Sequence, residues 1–266
     1  MESKTIHINV PYFMLEEFLN APFLKDIAPE IYFSGDDLDR LKQSDIDKLE
    51  NRLKQRDKKI TMHAPFYDLS PGSADKKIRE VTYDRFLSVL NIAKILKPAV
   101  LVAHPGYDPW RFDGSEDFWL NNSYETWHSI VKEAERYDIT IAIENVFEPY
   151  PSTLLSLINK INSDNFKFCF DTGHFNIFSK ARLKDWFKAL GDKLIECHLH
   201  DNHGASDEHL PIGYGIFPWE FLIKWLSSNN KEVIFTLEPH KVEDVKEAIE
   251  KAYQLLNKIE RFSEKR

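Results

Sequence analysis

Short apolar runs alternate with longer amphipathic stretches along this chain, and the alternation repeats eight times. The runs are Thr5–Val10, Glu30–Phe33, Lys59–His63, Val100–His104, Thr140–Glu144, Lys167–Asp171, Leu194–His200 and Glu232–Glu238. Each is rich in β-branched or large apolar residues, as strands are when helices cover them. Asp75–Leu96 places Ile78, Val81, Phe86, Val89, Leu90 and Ala93 at helical spacing. Tyr124–Tyr137, Thr153–Ile161, Leu183–Leu190, Trp219–Ser227 and Val242–Ile259 predict further helices, and the first two crossovers read as shorter. Pro98, Gly191 and the pair Asn229–Asn230 punctuate returns from helix to strand. Glu260–Arg266 is expected to fray.

Eight such alternations predict an α/β protein built as a single (β/α)8 TIM barrel, with residues 1–266 forming one domain. An open doubly wound sheet would carry a glycine-rich phosphate turn after an early strand, and the sequence has none. Composition adds little: 42% hydrophobic and 29% charged residues describe an ordinary globule. No apolar run approaches the roughly 20 residues of a membrane helix, and Met1-Glu2-Ser3-Lys4 opens no secretory signal. Cys169 and Cys197 each sit in an apolar run, where a free thiol behaves as a small hydrophobe. With no disulfide framework, a cytoplasmic location is expected. A net charge of −8 argues against an extended nucleic-acid groove.

In such a barrel the site forms where the strands end. Here the third strand runs into His63-Ala64-Pro65, the fourth into His104-Pro105-Gly106, the fifth into Glu144-Asn145, and the sixth into Asp171-Thr172-Gly173-His174. The seventh ends in His198-Leu199-His200-Asp201, its loop continues through Asp207-Glu208-His209, and the eighth ends in Glu238-Pro239. Of the ten histidines only His128 falls well inside a predicted helix. Imidazoles and carboxylates gathered on one rim suit a divalent ion such as Zn²⁺, Mn²⁺ or Co²⁺. A lone histidine at a strand end is more often a hydrogen-bonded structural residue. Glu144 and Glu238 each follow an apolar run, so each carboxylate must be paired, metal-bound or exposed.

The ordered series of these strand-end motifs, with Asp207-Glu208-His209-Leu210-Pro211 and Leu237-Glu238-Pro239, resembles the superfamily of xylose-isomerase-like barrels. That superfamily contains sugar isomerases and epimerases, inosose dehydratases and type IV apurinic endonucleases. The resemblance implies a metal tetrad of Glu144, Asp171, His198 and Glu238 in the isomerase branch. The endonuclease branch adds positions matching His63, His104, His174, Asp207 and His209 and holds three zinc ions. The resemblance thus implies one divalent ion, and as many as three if the fuller set is used.

Three functions follow as expectations. The first is an isomerase or epimerase acting on a sugar or sugar-phosphate-like substrate, with Glu144 and Glu238 moving the proton beside a metal-chelated carbonyl. The alternative is a multinuclear zinc phosphodiesterase, and the third is a barrel that binds a sugar without turning it over. DNA is the less expected partner. The opening Ile6-His7-Ile8-Asn9-Val10 departs from the glycine-rich start of the endonucleases, and Ser34-Gly35-Asp36-Asp37-Leu38-Asp39 sets acidic groups where a phosphate backbone would pass.

Phe66, Tyr67, Tyr107, Trp110, Phe147, Phe175, Phe178, Tyr214, Phe217 and Trp219 lie in or beside the metal-side loops. They read either as sugar-stacking rings or as local loop cores. His200, Asp201 and His203 read as residues that orient ligands or meet substrate. His7 and His240 carry no assignment, and Arg111 and Lys241 are candidates for a substrate phosphate or for solvated surface.

Overall fold

The computed structural model describes residues 6–56, 59–229 and 231–264. Parallel strands close in chain order into a barrel of eight, in which β1 (Ile6–Pro11) pairs with both β2 (Ala28–Tyr32) and β8 (Ile234–Leu237). Between β2 and β8 lie β3 (Thr61–His63), β4 (Leu101–Ala103), β5 (Ile141–Glu144), β6 (Phe166–Asp171) and β7 (Leu194–Leu199). The crossovers carry α1 (Leu15–Asn20), α2 (Gly35–Arg40), α3 (Gln43–Leu53), α4 (Lys76–Leu96) and α5 (Glu116–Glu135). Later in the chain come α6 (Ser152–Ile161), α7 (Thr172–Phe178), α8 (Leu183–Leu190), α9 (Trp219–Asn229) and α10 (Val245–Glu264).

Successive side chains of a strand leave opposite faces, and this alternation positions the site. Ile141 and Ile143 join the large apolar layer between barrel and helices, whereas Ala142 joins a small cluster with Val100, Val102 and Cys169. Carried two residues further, the period of that small cluster reaches His104, Glu144 and Asp171 at the strand ends. The register then sets Asp171 beside His198 and His198 beside Thr236.

Several expected boundaries move. α5 begins at Glu116, eight residues before the expected start at Tyr124, because Trp119 and Ser123 continue its buried stripe toward the N-terminus. The stretch from Glu260 does not fray over its described part. α10 runs on to Glu264, with Ile259 buried and the Ser227 hydroxyl donating to the Ile259 carbonyl at 3.0 Å. The loop after β6 folds as α7, so His174 lies in a helix and His128 is not alone in that respect. Gly191 keeps an ordinary helical backbone, and its role is close approach, since a Cβ there would meet the Trp225 ring at 2.5 Å. Thr5, Asn230, Lys265 and Arg266 lie outside the described residues. Among the described residues no helix is long and apolar enough to cross a membrane.

Candidate metal centre

Glu144 ends β5 on the inner face and is the hub of the barrel mouth, with 1% of its surface exposed. Its Oε2 stands 3.3 Å from His63 Nε2, 3.4 Å from His104 Nε2 and 3.4 Å from His198 Nδ1, and its Oε1 stands 2.9 Å from His174 Nδ1. Glu238, just past β8, brings Oε1 to 3.1 Å from the same His198 nitrogen. Two ligands each about 2.1 Å from a tetrahedral ion stand roughly 3.4 Å apart, so these spacings suit a shared cation.

Three compact groups of donor atoms gather here: His63, His104 and Glu144; Glu144, Asp171 and His198; and His200, His209 and Glu238. The first two share Glu144. The set expected beside them is His174, Asp207 and His209. Asp207 Oδ2 does lie between the two histidines, 3.0 Å from His209 Nε2 and 3.5 Å from His174 Nε2. The compact group containing His209 instead recruits His200, whose ring stacks on His209 with centroids 3.9 Å apart.

The donor set fits a divalent ion on the structure's own evidence. Glu144 Oε1, His198 Nδ1 and His200 Nδ1 are buried and lack a hydrogen bond of good geometry, although the first two stand at ion-pair distance from His174 and Glu238. Such atoms cost free energy unless something satisfies them, and a cation at this point would do so.

Local sequence explains the geometry. The Asn145 side chain donates to the Asp171 carbonyl and accepts from the Asp171 N–H, both at 2.9 Å, which ties the ends of β5 and β6 together. Asp171 then caps α7, accepting the His174 N–H at 2.6 Å, while its other oxygen meets His200 Nε2 at 2.9 Å. Gly173 is needed because a Cβ there would collide with the His200 ring.

Beneath the mouth lies another polar layer, one that the strand-end motifs do not reveal. Glu30 Oε1 stands 3.3 Å from His198 Nε2 and accepts from Asn9 at 2.8 Å, and Glu30 Oε2 accepts from Thr61 at 3.2 Å. Glu196 accepts from Thr236 at 2.5 Å. Glu30 and Glu196 with His198 form a further compact group. The signal in the sequence is the alternation Glu196, His198, which puts both on one face of β7, with His200 in step one residue beyond the strand.

Charge follows from this crowding. Burial opposes ionisation of Glu144, yet His104 and His198 hold its carboxyl well below the ordinary range. Burial and the neighbouring Glu30 push Glu196 well above that range. His198 is raised well above the usual imidazole value, because the surrounding acidic groups, Glu238, Glu30 and Glu144 among them, outweigh its burial. His174 is likewise raised, against its burial, by Asp171, Asp207 and Glu144.

The remaining candidates separate cleanly. Asp201 organises its own loop, accepting from Gly213 N–H at 3.0 Å, Phe217 N–H at 3.1 Å and Trp219 Nε1 at 2.7 Å. His203 is exposed and pairs with Glu208 at 3.0 Å. His7 lies below the mouth with Nδ1 3.2 Å from the Thr61 hydroxyl, and His240 stacks on His209 with centroids 3.5 Å apart. A cavity of about 590 Å³ opens onto Glu144, Glu238, Asp207, His63, His104, His174 and His209. Of the aromatic candidates, Phe66 and Tyr67 line it. Tyr107 instead packs on Trp119 in a loop core, and Trp110 is 94% exposed away from the lining. Arg111 and Lys241 are exposed and are not among the lining residues.

Residues 28–259 match the family described as xylose isomerase-like TIM barrel. An uncharacterized protein of Methanocaldococcus jannaschii is 32% identical over 216 residues, covering 77% of this chain and 73% of its own length. A probable endonuclease 4 of Malacoplasma penetrans is 23% identical over 228 residues, covering 76% of this chain and 75% of its own. The solved structure of a D-tagatose 3-epimerase-like protein superposes with a TM-score of 0.80 at 27% identity, covering 98% of this chain and 99% of that one.

Proposed function

The chain belongs to the xylose isomerase-like TIM barrel family, and from that premise we propose that it is a divalent-metal-dependent isomerase or epimerase of a sugar-like hydroxy-carbonyl compound. The observation that carries the reading is that Glu144 and Glu238 both approach His198 Nδ1, at 3.4 and 3.1 Å, while both also line the cavity. Glu144, Asp171, His198 and Glu238 would hold the ion, with His63, His104, His174, Asp207 and His209 available to further ions. When bound, the ion supplies Lewis acidity toward a carbonyl and its neighbouring hydroxyl. One carboxylate then takes the proton from the carbon beside the carbonyl, and the other side of the site returns a proton to that carbon or its neighbour. Asn145 ties the end of β5, which carries Glu144, to the end of β6, and Asp171 in turn meets His200.

Replacing Glu144 or Glu238 by Gln is expected to lower metal retention and turnover together, turnover by about a hundredfold or more. Metal content by elemental analysis and solvent-deuterium incorporation by NMR read the two effects. A double variant that kept its metal and full exchange would sink the assignment.

A second reading, hydrolysis of a phosphodiester, is favoured by the sharing of Glu144 between two donor groups, which suits a pair of ions on one scissile bond. Against it, α2 opens with Asp36 and Asp37 beside Ser34. About three zinc ions per chain together with scission of abasic duplex DNA would select the hydrolytic reading. About one ion with intact DNA supports the isomerase.

A further inference from the structure

We propose that the substrate of this site carries an uncharged apolar substituent, alkyl or aryl, on the side of the molecule away from its chelated hydroxy-carbonyl group. The inference rests on the isomerase or epimerase reading of the same site and adds the part of the substrate which that reading leaves open.

The cavity has two unlike halves. One is the histidine and carboxylate cluster. The other is built from Val10, Met14, Phe18, Phe23, Leu24 and Phe66, contributed by β1, the first crossover and the loop after β3. The halves are continuous, since the Phe66 ring stacks on the His104 ring with centroids 4.4 Å apart. A volume of about 590 Å³ is of the size that encloses a ligand of many more atoms than a hydroxy-ketone headgroup.

Chemistry decides what fills the apolar half. Hydroxyls of a sugar tail pressed on these six side chains would lose water without gaining partners; of the polar residues that also line the cavity outside the cluster, Asn9 already donates to Glu30, which leaves Tyr32, Tyr67 and His240. A phosphate would fare worse. Among the described lining residues there is no lysine or arginine, and the charged side chain outside the cluster is Glu17, a carboxylate. Lys246 holds its ammonium 5.1 Å from the centre of the Phe23 ring but is not among the lining residues. Phe23 is itself half exposed, so an apolar group seated against it removes surface from water on both sides, which is the ordinary driving force for such binding.

The test uses the full chain loaded with zinc and three achiral probes sharing one headgroup: hydroxyacetone, 1-hydroxy-4-phenylbutan-2-one and dihydroxyacetone phosphate. NMR titration gives affinities, and loss of the proton signal beside the carbonyl in D₂O gives exchange. The phenyl probe is expected to bind about tenfold to a hundredfold more tightly than hydroxyacetone, with the phosphate weaker than the phenyl probe. Phe23→Ala should narrow the gap by roughly fivefold, and Phe23→Arg should shift preference toward the phosphate. Equal affinities, tighter phosphate binding by the unaltered chain, or no detectable binding of the phenyl probe overturns the inference. Exchange fails separately: the expected binding order without exchange of any probe would remove the isomerase reading and leave the apolar subsite standing.

Discussion

His198 is approached by carboxylates from two sides: Glu144 and Glu238 face Nδ1, while Glu30 faces Nε2. A metal-bound imidazole depends on what its other nitrogen meets, because that contact fixes the ring's tautomer and direction. Glu30→Gln keeps the shape and removes the charge behind His198. The variant is expected to bind zinc about tenfold to a hundredfold more weakly, read by competition with a chromogenic chelator, while its circular dichroism stays unchanged. An unaltered zinc affinity would show that Glu30 only fills space. Glu148 tests the interior in another way. It is buried, its Oε2 accepts the Val146 N–H at 2.7 Å, and burial pushes its pKa up to about 8. The folded value lies above the unfolded one, so the stability this group contributes is fully present below about pH 4.5 and is lost as pH rises toward about 8. Glu148→Gln carries no such proton. Its stability relative to the parent should therefore rise between about pH 5 and about pH 9 in urea titrations, and parallel curves would refute the buried acid.

Among the elements, α7 shows how a site can be built from a segment too short to announce itself. Seven residues give a helical period little room, and Thr172-Gly173-His174 reads in sequence only as a polar loop. Its start is fixed by the Asp171 cap and its fit by Gly173 under the His200 ring. Gly173→Ala is expected to cost about 1–3 kcal/mol in chemical denaturation, the range for forcing an extra methyl into a packed site. The same change in a His200→Ala background should cost much less, since the ring that blocks it is gone. Equal costs in both backgrounds would place the strain elsewhere. The strand ends are legible as candidates because imidazoles and carboxylates are recognised by residue identity: His63, Glu144 and Asp171, which the fold brings into compact groups, can be named from their order along the chain. Glu30 cannot, since a single carboxylate inside an apolar run gives no sign of which face it takes until a neighbouring strand supplies His198.

Across the whole molecule, the two halves of the cavity come from different parts of the chain. β3 to β8 each deliver a ligand candidate at the mouth, in His63, His104, Glu144, Asp171, His198 and Glu238, whereas β1 and its crossover deliver Phe18, Phe23 and Leu24. The ligand candidates are readable from sequence. The apolar half is indistinguishable there from ordinary core, because nothing in an apolar side chain says whether it faces a helix or a cavity. This division has a thermodynamic consequence. One cluster of ions would tie together six successive strands out of eight, and the unfolded chain cannot assemble that donor set. An ion held at about a hundredfold to a thousandfold above its dissociation constant stabilises the folded state by about 3–4 kcal/mol. Stripping the protein with a chelator should therefore lower its unfolding temperature, and adding back zinc or manganese should restore it in a concentration-dependent way. Variants at Phe23 should keep the full metal-dependent shift, since that side chain offers no donor atom to an ion. Variants at Asp171 should lose it. If the stripped and reloaded proteins unfold at the same temperature, the histidines and carboxylates at the mouth satisfy one another without an ion, and the catalytic reading loses its foundation.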